Sequence, residues 1–158
     1  MINKQRLRRL LAPKSIAVFG SRGADFAIRE SLTMGFTGPI WSVHPTRNEL
    51  MGIKCIKSVY DLPYAPDAAY VAVNAESAIE TVALLNQMGA GGALLYASGF
   101  SELGDTLKDV GVERQQRLLK AAGDMPIIGP NCYGVINALD KAVLWPDQHG
   151  CQPVDKGV

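Results

Sequence analysis

Short, continuous apolar runs alternate with helical segments along this chain, and this alternation limits the possible folds more than any other feature. Five such runs occur, at residues 15–19, 40–43, 68–73, 92–96 and 126–128. Continuous rather than alternating apolar residues are typical of parallel strands that are covered on both faces. Because crossovers between parallel strands are right-handed, the pattern predicts an α/β fold with a Rossmann-like, doubly wound parallel sheet in three layers, αβα.

Helical segments fill the intervals between these runs. Residues 24–34 follow the first run directly, and residues 105–122 form a longer, more polar helix with Gly111 in its middle. A glycine there costs about 1 kcal/mol relative to alanine. After the third run, apolar residues recur at helical spacing and predict one buried stripe, with Gly89 as the C-cap. The members of this stripe are Ala75, Ala78, Ile79, Val82 and Ala83.

The N-terminal segment is basic and amphipathic. We interpret it as a short helix that ends before Pro13 and docks Leu7, Leu10 and Leu11 beside the first strand. Basic amphipathic segments also occur in organelle transit peptides, which is the alternative interpretation.

Size, charge and cysteine content exclude several classes of protein. The 158 residues suffice for one domain with a sizeable core, and the net charge of +1 argues against nucleic acid or an anionic membrane as the main partner. The sequence contains no run of about 18 apolar residues, so it predicts no membrane-spanning helix. The three cysteines, Cys55, Cys132 and Cys151, show neither metal-ligand spacing nor a disulfide framework, so we expect a cytoplasmic protein without a metal site.

A glycine-bearing loop, residues 20–23, connects the first apolar run to the helix that follows it. This strand–loop–helix unit is the one with which α/β proteins hold phosphates, because glycines permit close approach and the helix start offers free N–H groups. Ligands of such sheets lie beyond the carboxyl ends of the strands. Small or polar residues follow all five predicted strands, at residues 20–23, 44–47, 74–75, 97–100 and 129–132. The sequence therefore predicts a nucleotide-like ligand at this edge.

The end of the second strand narrows the choice of ligand. An NAD site requires Gly-x-Gly-x-x-Gly and a carboxylate after the second strand, whereas this chain has only Gly20 and Gly23 in the loop and Arg47 after the strand. An arginine suits an additional phosphate on or near a ribose, which both NADP and coenzyme A carry. His44, at the strand end, is either a phosphate contact or a polar residue without a chemical role.

Several motifs, in order along the chain, resemble the N-terminal CoA-binding domain of the NDP-forming acyl-CoA synthetases, which is related to the succinyl-CoA synthetase α-subunit. They occupy residues 10–18 with Gly20 and Ser21, then 35–40, 43–45, 61–63, 98–102 and 129–134. The resemblance implies a reversible ligase reaction in which an acid, CoA and ATP (or GTP) give acyl-CoA, the nucleoside diphosphate and phosphate. That reaction passes through an acyl phosphate and a phosphohistidine, and the first domain holds CoA.

The resemblance also implies which residues contact CoA. The loop would cradle a phosphate, Arg47 would pair with one, the third strand end would line the adenosine or pantetheine, and the fifth would approach the thiol. The implied set is Gly20, Ser21, Arg22, Gly23, Pro45, Arg47, Val73, Asn74, Ala75, Tyr96, Ala97, Ser98, Asn131 and Cys132. Ala24 replaces a loop glycine of the family, and its β-carbon is expected to crowd the phosphate. No catalytic residue is implied in this chain.

The domain organisation follows from the same resemblance. We expect residues 1–150 to form the CoA-binding domain and residues 151–158 to begin a linker to a following domain. The phosphohistidine of the family lies in that following domain, so His149 is not expected to be it. The expected partners are CoA or acyl-CoA and further synthetase domains or subunits, and the chain is not expected to catalyse the reaction alone.

Several alternatives stay open. The chain could be an NADP-binding oxidoreductase or redox-sensor module, or a CoA-binding regulatory domain of a protein acetyltransferase. Cys132 could be a nucleophile instead of a packing or ligand-contact residue. The turn at residues 98–100 either exposes backbone N–H groups to a ligand or is simply a tight connection.

Overall fold

The computed structural model describes residues 3–20 and 22–156. Its main sheet has seven strands: β1 (Ile16–Gly20), β2 (Ile40–Val43), β3 (Glu49–Leu50), β4 (Ile53–Ile56), β5 (Ala68–Ala72), β6 (Ala93–Leu95) and β7 (Ile127–Ile128). Their spatial order is β3-β4-β2-β1-β5-β6-β7, and every pairing is parallel except that between β3 and β4. All five predicted strands are present, which places their carboxyl ends at one edge of the sheet.

Four helices and a small hairpin cover the sheet. The helices are α1 (Lys4–Leu11), α2 (Ala24–Met34), α3 (Ala75–Met88) and α4 (Lys108–Ala122), and the hairpin consists of β8 (Val135–Asn137) and β9 (Ala142–Leu144). Helices α3 and α4 pack on one face of the sheet, while α1, α2 and β9 pack on the other. The predicted three-layer, Rossmann-like fold is therefore confirmed. None of the helices within residues 3–20 and 22–156 has the length and apolar character needed to cross a membrane.

The buried stripe of α3 matches the prediction except at its end. Ala75, Ala78, Ile79 and Val82 are buried, but Ala83 is only half-buried and Leu85 completes the stripe instead. Gly89 is the C-cap, with a left-handed φ of 83° and its N–H donating to the carbonyls of Asn86 and Leu85. Helix α3 therefore presents a continuous apolar face to the sheet and to α4.

Gly111 does not break α4, because the glycine is what allows the helix to pack closely. A β-carbon at this position would overlap the carbonyl oxygen of Phe100. Phe100 is fully buried and belongs to the core between the sheet and α4. The cost of a helical glycine is thus offset by the close approach of α4 to the turn that follows β6.

The docking of α1 differs from the prediction. Leu10 is buried, but Leu7 is only half-buried and Leu11 is 40% exposed. Successive helical residues lie about 100° apart around the axis, so Leu10 and Leu11 cannot both face the sheet. A network around Arg9 provides additional attachment: its Nε donates to Asp67 Oδ1 at 2.6 Å and its Nη1 to the Gly89 carbonyl at 2.8 Å.

The hairpin of β8 and β9 closes the α2 side of the core and was not predicted. Ala142, Val143 and Leu144 are all buried. The Ser31 hydroxyl of α2 donates to the Val143 carbonyl at 2.8 Å and accepts from the Val143 N–H at 3.1 Å. This reciprocal pair fixes the hairpin to α2.

Candidate functional site

A cleft of about 400 Å³ opens where the carboxyl ends of β1, β2 and β5 meet the first turns of α3. Four of the residues predicted to bind a ligand line it: Gly20, Pro45, Val73 and Asn74. Ala75 does not line the cleft, because it is buried in the core at the start of α3. The Asn74 side chain accepts from the Ser77 N–H at 3.0 Å and so caps α3. The strand ends therefore form one concave surface.

The loop between β1 and α2 borders this cleft. Gly20 has a φ of 109° and pairs with Ala72 of β5, and a β-carbon on it would overlap the Ala72 carbonyl. Ser21 lies outside the described residues, and Arg22 is exposed. Gly23 is the N-cap of α2 and has a φ of 83°. Since glycine offers no capping side chain, no side chain hydrogen-bonds to the first-turn N–H groups of α2 within the described residues.

The β-carbon of Ala24 does not lie where it would crowd a phosphate, contrary to the expectation from the sequence. It is fully buried and packs in the core on the α2 side of the sheet. Its β-carbon therefore contributes to packing beneath α2 rather than to the surface on which a phosphate would rest.

The segment after β2 forms a basic loop beside the cleft. The His44 Nδ1 accepts from the backbone N–H of Arg47 at 3.1 Å, and Lys57 Nζ donates to the Arg47 carbonyl and to Asn48 Oδ1. Burial, followed by the charges of Arg47 and Lys57, lowers the pKa of His44. His44 thus shapes the loop as a neutral acceptor, while Arg47 is exposed at its tip.

Lys57 is a site residue that sequence reasoning missed. It lines the cleft together with Ser58 and directly follows β4. Because β4 runs parallel to β2, its end lies at the same edge as the predicted strand ends. The signal was the short apolar alternation at residues 53–56, which was not recognised as a strand.

The ends of β6 and β7 come together, as the topology predicts. The Asn131 N–H donates to the Ala97 carbonyl at 2.9 Å, and the Cys132 N–H donates to the Leu95 carbonyl at 3.3 Å. Asn131 has a left-handed φ of 53°. Tyr96 and Ser98 are exposed at this end of the edge, whereas Ala97 is buried.

The turn after β6 does not present its N–H groups to the cleft. The Glu102 carboxylate accepts from the backbone N–H of Gly99 at 2.5 Å and of Phe100 at 3.1 Å. Burial acts to raise the pKa of Glu102, but the backbone hydrogen bonds outweigh it and hold that pKa below its usual value. Of the two interpretations of this turn, the structure favours a self-contained connection.

His149 packs against α2. Its side chain is 8% exposed, and its Nε2 lies 3.6 Å from Glu30 Oε2. That distance is too long for a hydrogen bond, whereas Glu30 accepts a hydrogen bond from Arg29 Nε at 3.1 Å. His149 therefore contacts the back of α2 and is not among the residues that line the cleft.

The Tyr70 hydroxyl is buried without a hydrogen-bond partner among the described residues. Burial raises its pKa well above the usual range, and nearby Tyr96, Cys132 and Asp25 act in the same direction. We expect Tyr70→Phe to raise the free energy of unfolding by about 1 kcal/mol, because it removes an unpaired buried polar group. Chemical denaturation at pH 7 measures this change.

The raised pKa of Tyr70 also predicts in which direction the stability of the fold changes with pH. In the unfolded chain Tyr70 ionises near pH 10, whereas in the folded chain it stays neutral, so stability falls above pH 10 by at most about 1.4 kcal/mol per pH unit. Tyr70→Phe should therefore lose less stability than the parent chain between pH 9 and pH 11. Tyr64→Phe, at a tyrosine that is 53% exposed, is the matched control. Equal alkaline destabilisation of both variants would contradict the assignment.

Comparison with known proteins identifies related sequences. The profile of a family described as a CoA binding domain matches residues 14–138. A trans-feruloyl-CoA synthase from an unknown prokaryotic organism is 35% identical over 98% of this chain, and acetate–CoA ligase [ADP-forming] II of Archaeoglobus fulgidus is 38% identical over 83%. The chain spans 22% and 20%, respectively, of the lengths of these two relatives.

Two solved structures have a similar fold over most of this chain. The dinucleotide-forming acetyl-coenzyme A synthetase 1 of Ca. Korarchaeum cryptofilum, in complex with phosphate and ADP, aligns with a TM-score of 0.80 at 30% identity. The alignment covers 90% of this chain and 31% of that one. A Pyrococcus horikoshii protein, PH0766, aligns with a TM-score of 0.78 at 28% identity and covers 90% of this chain and 33% of its own.

Proposed function

Because this chain belongs to the CoA binding domain family, we propose that it holds coenzyme A at the carboxyl edge of its sheet as part of an ADP-forming acyl-CoA synthetase. The whole protein would convert an acid, CoA and ATP reversibly to acyl-CoA, ADP and phosphate. The observation that carries the proposal is the family match over residues 14–138 together with a cleft formed by the strand ends within it. The chain spans about a fifth of these relatives, so the complete reaction would require the rest of the protein.

The arrangement of charges supports CoA as the ligand. CoA carries a pyrophosphate and a phosphate on its ribose, and charge-assisted hydrogen bonds from arginine suit such groups. Arg22, Arg47 and the uncapped start of α2 lie at the β1 and β2 ends, where they would bind these phosphates, with Ser21 as a further expected contact. Lys57 would add a second cation beside Arg47.

The remaining contacts would follow the strand order. Gly20, Pro45, Val73 and Asn74 would form the wall against the adenosine or the pantetheine arm, since they line the cleft. Tyr96 and Ser98 are exposed at the next strand end, and Asn131 and Cys132 would lie towards the thiol. Buried Ala75 and Ala97 would support the surface from beneath.

We also propose that residues 1–150 are the CoA-binding domain and that residues 151–158 begin a linker to further synthetase domains. In support, β9, which ends at Leu144, is the last regular element within the described residues. The cysteines at positions 55, 132 and 151 are free thiols, which suits a reducing cytoplasm. The names of the relatives include both an aromatic acid, ferulate, and the two-carbon acid acetate, so family membership alone does not choose between these acids.

Isothermal titration calorimetry tests the proposal. We expect the chain to bind CoA, and Arg47→Ala to weaken binding about 10- to 100-fold, because a hydrogen bond to a charged group contributes about 1.5–3 kcal/mol. Arg8→Ala, at an exposed arginine of α1, should leave the affinity unchanged. Binding of NADPH without binding of CoA would overturn the proposal in favour of an NADP-binding module.

A further inference from the structure

Four aromatic rings pack in a row near the carboxyl ends of β5, β6 and β7, and the row runs from the fully buried Tyr70 out to the surface. The centroids of Tyr70 and Tyr96 lie 6.3 Å apart with nearly parallel planes, those of Tyr96 and Tyr133 lie 6.2 Å apart edge to face, and those of Tyr133 and Trp145 lie 5.2 Å apart. We call these four residues the aromatic wall. Tyr96 is 36% exposed and Tyr133 is 55% exposed, although both rings are large and mainly apolar.

The aromatic wall borders the predicted ligand path. A β-carbon built on Gly23 would lie 3.5 Å from the Tyr96 ring, so the wall directly adjoins the loop between β1 and α2. Tyr133 immediately follows Cys132, whose N–H is bonded to β6. The wall is thus continuous with the strand ends at which the thiol of CoA is proposed to lie.

The two ends of the edge differ in chemistry. Arg47 and Lys57 lie at the β2 and β4 end, on one side of β1 in the strand order, while the aromatic wall lies at the β5, β6 and β7 end on the other. A CoA molecule whose phosphates bind at the cationic end has its pantetheine arm directed towards the other end. The group attached to sulfur would then arrive at the aromatic wall.

The aromatic wall also retains unused hydrogen-bonding capacity. Among the described residues, three buried atoms in and beside it have no hydrogen-bond partner: Tyr70 Oη, Trp145 Nε1 and Asp25 Oδ1. Buried polar atoms in a closed core are nearly always paired. The unpaired atoms behind the exposed Tyr96 and Tyr133 rings therefore mark a region whose packing differs from that of a closed core.

We infer that the aromatic wall receives the acyl group of the substrate, and that this group is aromatic. The acid would be an aromatic carboxylic acid, carried as its CoA thioester. An acetyl group is a single methyl beyond the carbonyl and offers little surface to the exposed rings of the wall, whereas an aromatic ring can stack on Tyr96 or meet Tyr133 edge to face. This inference rests on the proposed function, because it assumes that CoA occupies the strand ends.

The experiment compares CoA, acetyl-CoA and benzoyl-CoA as ligands of the chain by isothermal titration calorimetry. We expect benzoyl-CoA to bind about tenfold more tightly than acetyl-CoA, since a ring pair adds roughly this much to binding. Tyr133→Leu should abolish the difference between the two thioesters and leave the affinity for free CoA unchanged. Tyr64→Leu, at an exposed tyrosine that packs on Trp41 at the start of β2, should preserve the difference.

Tryptophan fluorescence provides a second readout. The chain has two tryptophans, so a Trp41→Phe variant leaves Trp145 of the aromatic wall as the single indole. Benzoyl-CoA should quench its fluorescence more strongly than acetyl-CoA. Equal affinities for the two thioesters, or equal quenching by them, would overturn the inference. Failure of CoA itself to bind would instead overturn the proposed function, and the two failures are therefore distinguishable.

Discussion

Replacing Gly20 with alanine is expected to lower the free energy of unfolding by roughly 2–5 kcal/mol, because two separate costs add. The first is backbone strain, since the φ of 109° at Gly20 lies in the region that favours glycine. The second is steric, since the new β-carbon would overlap the carbonyl oxygen of Ala72 on the neighbouring strand β5. Relief of that overlap requires β1 and β5 to separate at the edge of the sheet where the ligand is proposed to bind.

Thermal unfolding followed by circular dichroism measures this effect. For a chain of this size, the loss corresponds to a decrease in Tm of roughly 5–20 °C. Gly150→Ala is the matched control, because Gly150 has no atom within 4 Å of its ideal β-carbon position. A Gly20→Ala protein with the parent Tm would show that the β1–β5 register tolerates a side chain here, and it would contradict the geometry described above.

Removal of the Arg9 side chain is expected to cost about 2–3 kcal/mol, because it breaks several charge-assisted hydrogen bonds at the amino edge of the sheet. Arg9 Nε donates to Asp67 Oδ1, and Nη1 donates to the Gly89 carbonyl. Its Nη2 lies 3.3 Å from the carbonyl oxygens of Ala65 and Pro66. The Asp67 side chain is only 18% exposed, so Arg9→Ala would leave a largely buried carboxylate without its guanidinium partner.

Urea denaturation of Arg9→Ala tests this expectation, with Arg8→Ala as the control. Arg8 is the adjacent residue of α1 and is exposed, so its removal changes charge and helix propensity by the same amount without touching Asp67. If both variants had the same denaturation midpoint, the Arg9 network would contribute nothing beyond a surface charge.

The parallel core of the fold was predictable because its physical signal is local and strong. Strands that are covered on both faces must be apolar throughout, and β1 and β5 are buried along nearly their whole lengths. Glycines at helix ends, such as Gly89, mark where α3 stops for a steric reason that holds in any context. Because ligands of such sheets bind beyond the carboxyl ends of the strands, the candidate site residues could be assigned to one edge without knowledge of side-chain positions.

The two hairpins were not predictable in the same way. Strand β3 has two residues and β8 has three, which is too short for alternation to be recognised. Their stability depends on tertiary contacts, since β3 pairs only with β4 at the edge of the sheet and β9 is fixed through Ser31. Lys57 was missed as a consequence, because a residue at a strand end can be recognised only when its strand has been recognised.

The turn after β6 shows another limit of sequence reasoning. Ser98 and Gly99 are as small as the residues of an anion-binding turn, yet Glu102 supplies the anion from within the chain. A carboxylate two or three residues away is common in polar loops, and only the backbone conformation determines whether it folds back. The exposure of Leu11 was likewise not predictable from the sequence. The rotation of a short helix about its own axis depends on its contacts as much as on its apolar residues.

The hairpin of β8 and β9 has a practical consequence for any shortened version of this protein. The Asn137 side chain of β8 donates to the Leu11 carbonyl at 2.7 Å, and β9 lies against α2, so the hairpin contacts both of the first two helices. The matched family segment stops at residue 138, before the apolar strand Ala142–Leu144. A recombinant fragment that ends at that boundary would expose the apolar residues of α2 that pack against β9. A fragment that extends past Leu144 would keep them covered.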